Sequence, residues 1–390
     1  MNTLYATISI LASSSSCIME YKHYVKILIT SNSVISPELK VKYDISEVHK
    51  LKPEEQIPWN STKLYVSNGP LIFLFNGLEK SKVLVLLDEP YNHLNSIPLY
   101  CETLQIHGIN TNPTLINLSA PLIVSTSTFR IDNITLQIAP ESAPQSFVVP
   151  SLQTSGGLIL INDMTNVWLS HCQFNGNAIR KTYILNINKS VKQLEITHCQ
   201  WLDGEFYLEK CNCKLESNNF VNVYAFISNS QGSMYLNNFQ QKLRLDFFNC
   251  DTFTLAHNMF DEVFDLFSII DADHNSRIFF MANRIKSHPN QAGNIIHVHR
   301  YSKCVIGECY FVLNPMQLFG TVSFGSELDL GFCRFNVKAV EIAHDTAIVN
   351  TLGGNVYIMS DGSNVKSESI ELKLTQRGIP SYAMTGLCLT

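Results

Sequence analysis

Through residues 167–335 the apolar positions recur in one local order: apolar, x, apolar, x, x, Cys or Asn, x, bulky apolar. The order reads VWLSHCQF from Val167 to Phe174, LEITHCQW from Leu194 to Trp201, CKLESNNF from Cys213 to Phe220 and FTLAHNMF from Phe253 to Phe260. It continues as IFFMANRI from Ile278 to Ile285, CVIGECYF from Cys304 to Phe311 and LDLGFCRF from Leu328 to Phe335, with MYLNNF, ending at Phe239, as an imperfect member. Phe174 to Phe335 spans seven steps, a mean period of 23 residues. That period matches one turn of a parallel β-helix. A strand alternates its side chains between two faces. The two apolar positions, the Cys or Asn and the aromatic therefore all point inward only if the backbone bends between the second apolar residue and the Cys or Asn. Each repeat thus predicts a strand, a bend and a second short extended stretch.

Coils stacked about 4.8 Å apart bring equivalent residues into ladders. The predicted structural ladder is Cys172, Cys199, Asn218, Asn258, Asn283, Cys309 and Cys333, with the amides hydrogen-bonding between coils and the thiols filling the same niche as small apolar groups. The predicted core aromatic stack is Phe174, Trp201, Phe220, Phe260, Phe311 and Phe335. A second set of strands precedes most of these segments: YILNI at 183–187, FYLEK at 206–210, AFISN at 225–229, LRLDF at 243–247, NIIHV at 294–298 and VEIAH at 340–344. The fold class is all-β, a single-stranded solenoid. Lys82 to Leu118 reads as its opening coil, and ESIELKLT from Glu368 to Thr375 alternates like an edge strand. The predicted organisation is an N-terminal arm over 1–45, the β-helix with its N-terminal cap over 46–345, and a C-terminal cap over 346–390 that shields the solenoid end.

Composition narrows the function classes. The 390 residues carry 28 Lys+Arg against 33 Asp+Glu, a net charge of -5, with 45% hydrophobic and 16% charged residues. Such a chain is neither a disordered segment nor a basic nucleic-acid binder. Low charge also predicts that part of the surface is covered in an oligomer. No apolar stretch reaches the roughly 18 residues of a spanning helix, so no membrane association is expected. The start, MNTLYATISILASSSSC, has no Lys or Arg before Lys22 and reads as an arm rather than a secretory signal. Eleven Cys without a C-x-x-C pair predict reduced, buried thiols and synthesis in the cytosol or nucleus.

Candidate chemistry is sparse. Asp271, Asp273 and His274 form the most enzyme-like cluster, because carboxylates at i and i+2 share a strand face; the plainer reading is a solvent-facing turn after FSII. Arg284-Ile285-Lys286 echoes a triplet of polygalacturonases without the acidic elements that should precede it. His171-Cys172 and His198-Cys199 recur one coil apart, but adjacent strand residues face opposite ways, which predicts a solvated His beside a structural Cys. His297 and His299 share a face but lack a Cys or carboxylate nearby in sequence, so no metal and no cofactor is assigned. Asn60, Asn117, Asn133 and Asn188 head glycosylation sequons, and Asn133 falls close to the ladder position, which predicts burial.

The repeat resembles the pectin-lyase-like right-handed parallel β-helices, and VLVLLDEPYNHLNSIPLYCETLQIHGIN resembles the first coil of that group. Phrases such as LSHCQF and LAHNMF are more specifically similar to the C-terminal region of the large early transforming protein of adenoviruses and to its structural relatives, the hexon-interlacing β-helical capsid proteins of atadenoviruses. No long acidic, Pro-rich region precedes the repeat as in the early protein, which makes the capsid proteins the better match. The resemblance covers roughly 80–345 and transfers no catalytic residue. It implies a homotrimer standing on the virion surface, contacting hexon or another capsid protein, stabilising the shell and assembled in the host nucleus. Two other classes compete with this reading. A polysaccharide-processing enzyme or tailspike requires carboxylates converging on one groove, and an intracellular regulatory β-helix would bind host proteins away from the particle.

Overall fold

The structure is a computed structural model that describes residues 24–30, 41, 48–50, 64–67, 82–88, 99–108, 114–118, 122–138, 157–161, 166–176, 183–187, 191–289, 293–313, 320–323, 325–331, 334–337, 349–352, 355–359 and 374–376. Every strand pairing among these residues is parallel, and strands within the stack pair with their equivalents one coil before and one coil after. The chain is a parallel β-helix.

Each full coil crosses three sheets. The first sheet stacks Asn166–Ser170, Val191–Thr197, Cys211–Glu216, Gln231–Tyr235, Phe253–Ala256, Arg277–Met281, Lys303–Gly307, Glu327–Gly331 and Asn355–Met359. The second takes Gln173–Asn175, the opening residues of Gln200–Glu209, Asn219–Ser228 and Asn238–Phe248, then Met259–Phe264, Arg284–Ser287, Tyr310–Leu313 and Arg334–Val337. The third includes the opening residues of Leu122–Asp132, then Gly157–Ile161 and Tyr183–Ile187, and takes the closing residues of the same three long strands. It continues through Ser268–Asp273, Asn294–Val298, Gly320–Ser323, Val349–Leu352 and Leu374–Gln376.

Parallel stacking also includes Tyr24–Thr30, paired with Lys82–Asp88 and with the strand Leu99–Gly108. Strands therefore lie in register within both the segment read as an arm and the segment read as a cap. Among the strands read beforehand, VEIAH at 340–344 lies outside the described residues.

Left-handed residues make the corners, one at a first or second corner and one or two at a third. Between the first and second sheets these are Asn133, His171, His198, Ser217, Leu236, His257, Ala282 and Glu308, all with φ between 52° and 57°. Asp203, Asn222, Gln241 and Glu262 turn the chain from the second sheet to the third, and Lys210, Asn229, Asn249 and the consecutive pairs His274–Asn275 and Arg300–Tyr301 belong to the third corner. One such residue between extended neighbours redirects the strand sharply without interrupting the coil-to-coil hydrogen bonds. The corner amide of His171 donates to Thr197 O at 3.1 Å, and that of His198 to Glu216 O at 3.1 Å.

Coil length varies with the third corner and the loops, from 19 residues between Trp201 and Phe220 to 38 between Leu136 and Phe174. The core is an apolar column. On the second sheet Phe174 stacks on Trp201 at 4.1 Å, Phe220 on Phe239 at 4.9 Å and Phe239 on Phe260 at 4.7 Å. Phe311 is also fully buried, and the backbone of Phe335 pairs with that of Phe311, though its side chain lies outside the described residues.

Candidate functional site

The first-corner niche shows what each ladder residue does. In every described coil the residue after the left-handed corner is buried: Ile134, Cys172, Cys199, Asn218, Asn237, Asn258, Asn283 and Cys309. Cys333 lies outside the described residues. The amides form a continuous chain, with Cys199 N donating to Asn218 Oδ1, Asn218 N to Asn237 Oδ1 and Asn237 N to Asn258 Oδ1, each at 2.9 Å. Asn258 N donates to Asn283 Oδ1 at 2.8 Å, and Asn283 N to Cys309 Sγ at 3.3 Å. Each Asn Nδ2 also donates to a strand carbonyl of the preceding coil: Asn218 to Ile196 O and Asn237 to Leu215 O at 2.9 Å, Asn258 to Met234 O at 3.0 Å and Asn283 to Leu255 O at 2.8 Å. Cysteine imitates the pattern, since Cys309 Sγ donates to Phe280 O at 3.4 Å while accepting from Asn283 N.

Asn237 completes the ladder although its segment departs from the repeat. Gly232 stands in the first apolar slot of that coil, and a Cβ there would collide with the Cys213 carbonyl. Asn133 is not in the niche; it is the left-handed corner residue itself, half-buried, with Nδ2 donating to Gly108 O at 2.9 Å. His171 occupies the same corner position, largely exposed, with Nδ1 3.2 Å from Asp132 Oδ1 and its ring 5.1 Å from that of His198.

A second niche sits at the third corner. Cys211 N donates to Ser230 Oγ at 2.9 Å, Cys250 N to Ser276 Oγ at 3.0 Å, Ser276 N to Ser302 Oγ at 3.1 Å and Ser302 N to Ser326 Oγ at 3.1 Å. The seven described free cysteines are buried. Burial pushes the Cys211 thiol up to about 12 and that of Cys250 to about 11, so neither presents a thiolate at neutral pH.

The titratable chemistry lies on the outer face of the third sheet. Asp246, Asp271, His297 and Thr321 occupy successive coils in direct register. Asp271 Oδ1 is 2.7 Å from His299 Nε2, and its Oδ2 is 3.5 Å from His297 Nδ1. The two imidazoles stack, with ring centroids 4.3 Å apart. Asp273 holds the far side: its Oδ1 lies 3.6 Å from His299 Nδ1 and accepts from His274 N at 2.7 Å, while Arg300 Nη1 donates to its Oδ2 at 3.1 Å. On the other side Arg244 Nε donates to Asp246 Oδ1 at 2.7 Å, and Tyr224 OH donates to Asp246 Oδ2 at 2.7 Å.

Burial raises both neighbouring carboxyls, and their partners separate them. Burial opposes ionisation at Asp271, but hydrogen bonds and charge from His297 and His299 outweigh it and hold that carboxyl well below the usual range. At Asp246 burial wins over Arg244 and Tyr224, and the carboxyl is raised. Asp271 and Asp273 are therefore strand residues with side chains 14% and 17% exposed, not members of a solvent-facing turn. Arg284, Ile285 and Lys286 lie far from this cluster in role: Ile285 is core, and Lys286 Nζ pairs with Glu262 Oε1 at 2.7 Å.

An outer aromatic row runs beside the cluster. Tyr183 meets Tyr207 at 5.7 Å, Tyr207 meets Phe226 at 5.5 Å, Phe226 meets Phe248 at 6.3 Å and Phe248 meets His274 at 4.2 Å. No protein-family model, curated protein or solved structure matches this chain.

Proposed function

We propose that this chain is a structural protein of a virus particle: a β-helix that trimerises through its flat outer sheets, stands on the capsid surface and cements neighbouring capsid proteins such as hexon. The observation that carries this reading is the use of the described interior. Both corner niches are filled by side chains bonded to adjacent coils, and the second sheet is filled by stacked rings, so a long stiff prism is left to act through its exterior. Apolar side chains on that exterior, among them Leu236, Met259, Leu266, Phe267 and Tyr301, suit protein contact. The likeness of the repeat phrases to the hexon-interlacing capsid proteins points the same way. In this reading the chain has no catalytic role and needs no cofactor. Light scattering on the purified chain, with cross-linking, should give three times the mass of one chain, and antibody against it should label intact particles. A monomer absent from particles would overturn the proposal.

One observation favours a second reading, a glycan-processing enzyme. Asp246 and Asp271 are adjacent carboxyls pushed in opposite directions beside an aromatic row, the arrangement from which acid and base roles are drawn. Turnover of pectic or bacterial glycans that disappears in Asp271→Asn and Asp246→Asn would establish it.

A further inference from the structure

Two sequence pairs that look unrelated in the chain meet on the third sheet. Asp271 and Asp273 belong to one coil, His297 and His299 to the next, and register places Asp271 directly opposite His297. The donor atoms of Asp271, His297 and His299 all lie within 4.8 Å of one another. We propose that these three side chains form a binding site for a borderline divalent cation of the zinc class, which would clamp the coil of Asp271 to that of His297 and His299.

The donor set fits that chemistry. Two imidazoles and one carboxylate suit zinc, with water completing the shell. Bonds of about 2.0–2.2 Å in a tetrahedral shell separate donors by roughly 3.4 Å. Asp271 Oδ2 and His297 Nδ1 are already 3.5 Å apart, and Asp271 Oδ1 and His299 Nε2, at 2.7 Å, need only spread. Parallel imidazoles do not aim both lone pairs at one point, so His297 must turn about its terminal torsion, which is soft.

The surrounding groups are those a ligating histidine uses. When His299 Nε2 offers its lone pair to the cation, the ring proton sits on Nδ1, facing Asp273 Oδ1 at 3.6 Å. Arg300 and the backbone of His274 fix Asp273 in turn. A carboxylate behind a histidine in this way orients the ring and raises its basicity. Ser268 Oγ donates to Asp271 Oδ2 at 3.3 Å and steadies the third ligand. The competing cation is Arg244, whose Nη2 is 3.9 Å from Asp271 Oδ2. Its Nε is committed to Asp246, and its guanidinium lies 5.4 Å from the Phe267 ring centroid, which keeps it on the Asp246 side.

The test uses the full chain with Co²⁺ as a spectroscopic probe and Zn²⁺ as a competitor. One equivalent of Co²⁺ should give visible d–d absorption without a thiolate charge-transfer band, and one equivalent of Zn²⁺ should abolish it. His299→Ala and Asp271→Asn should each weaken Zn²⁺ binding at least tenfold by calorimetry while leaving the far-ultraviolet circular dichroism unchanged. Asp273→Asn, which removes only the partner behind His299, should weaken it less and keep the stoichiometry. A thiolate band, absence of binding, or affinity unchanged in His299→Ala would each overturn the site; the wild-type spectrum decides even if a variant fails to fold.

Discussion

Removing the Asn258 side chain tests the corner ladder at its middle. Asn258 Oδ1 accepts from Asn237 N at 2.9 Å and from Asn237 Nδ2 at 3.0 Å, and Asn258 Nδ2 donates to Met234 O at 3.0 Å. In Asn258→Ala the Asn237 amide and the Met234 carbonyl both lose this partner inside a water-free column. At about 1–3 kcal/mol per orphaned buried group, the variant should lose about 3–5 kcal/mol. Cysteine is the informative comparison, because the niche holds it elsewhere: Cys309 accepts from Asn283 N and donates to Phe280 O. Asn258→Cys keeps a weaker version of both bonds and should cost only about 1–2 kcal/mol.

Amide hydrogen exchange reads the effect locally, without requiring the whole solenoid to unfold as one unit. Exchange at the Asn237 amide should accelerate about a hundredfold or more in Asn258→Ala, since each 1.4 kcal/mol is a factor of ten, and no more than about thirtyfold in Asn258→Cys. Equal protection in the two variants would refute the argument that hydrogen bonding, rather than volume, selects Asn in this column.

Phe260→Ala should cost about 3–5 kcal/mol by urea denaturation, because its ring is fully buried between Phe239 at 4.7 Å and Phe280 at 5.6 Å, whereas His171→Ala should stay within about 0.5 kcal/mol; similar costs would invert the assigned faces. The Asp271 carboxyl is held below its unfolded range, so its contribution is present above about pH 3.9 and is lost as pH falls through the folded value. Asp271→Asn should therefore flatten the acid limb of stability against pH. Asp246, raised by burial, contributes with the opposite sign, so stability should stop falling with pH on its account in Asp246→Asn; parallel changes in the two variants would contradict the assignment.

Much of the interior could be read from the chain because the column demands the same residue type in every coil. Cys172, Cys199, Asn218, Asn258, Asn283 and Cys309 share one niche, in which a small group that both donates and accepts bonds the corner backbone; Ile134 fills the same place in an earlier coil by apolar packing. Asn237 escaped because Gly232, required by close approach to Cys213, broke the apolar pattern ahead of it. The niche of Ser230, Ser276, Ser302 and Ser326 left no visible signal, since serine is common in loops and no aromatic follows it at fixed spacing. The halves of the long strands that serve sheets two and three were read as separate segments, because a single left-handed residue such as Asn222 joins them without any Gly or Pro. The outer cluster was hidden for a different reason. Coils of 19 to 38 residues prevent counting across a turn, so Asp271 and His297 could be noticed separately but not placed opposite each other. Aligning Ile270 with Ile296 as equivalent core residues would have revealed the pairing.

The corners separate what folding selects from what the exterior selects. A left-handed conformation costs an ordinary L-residue about 1–2 kcal/mol, and Asn or Gly tolerates it best. At the first corner Asn133 fits that rule, yet the equivalent place holds Leu236, whose side chain is 51% exposed and beside an exposed Tyr235. Leu236 neither eases the turn nor fills the column, so nothing inside the coil accounts for its choice over Asn. Leu266 projects at 74% exposure from the loop leading into the third sheet, and Phe267 follows at 69% with the Arg244 guanidinium 5.4 Å from its ring centroid. Local choices that conflict with the fold collect where a protein meets something else. Inward and outward residues of one coil therefore answer to different demands: the Asn and Cys niche sets how firmly adjacent coils hold together, and the exposed apolar side chains are the surface that the proposed capsid contact would use.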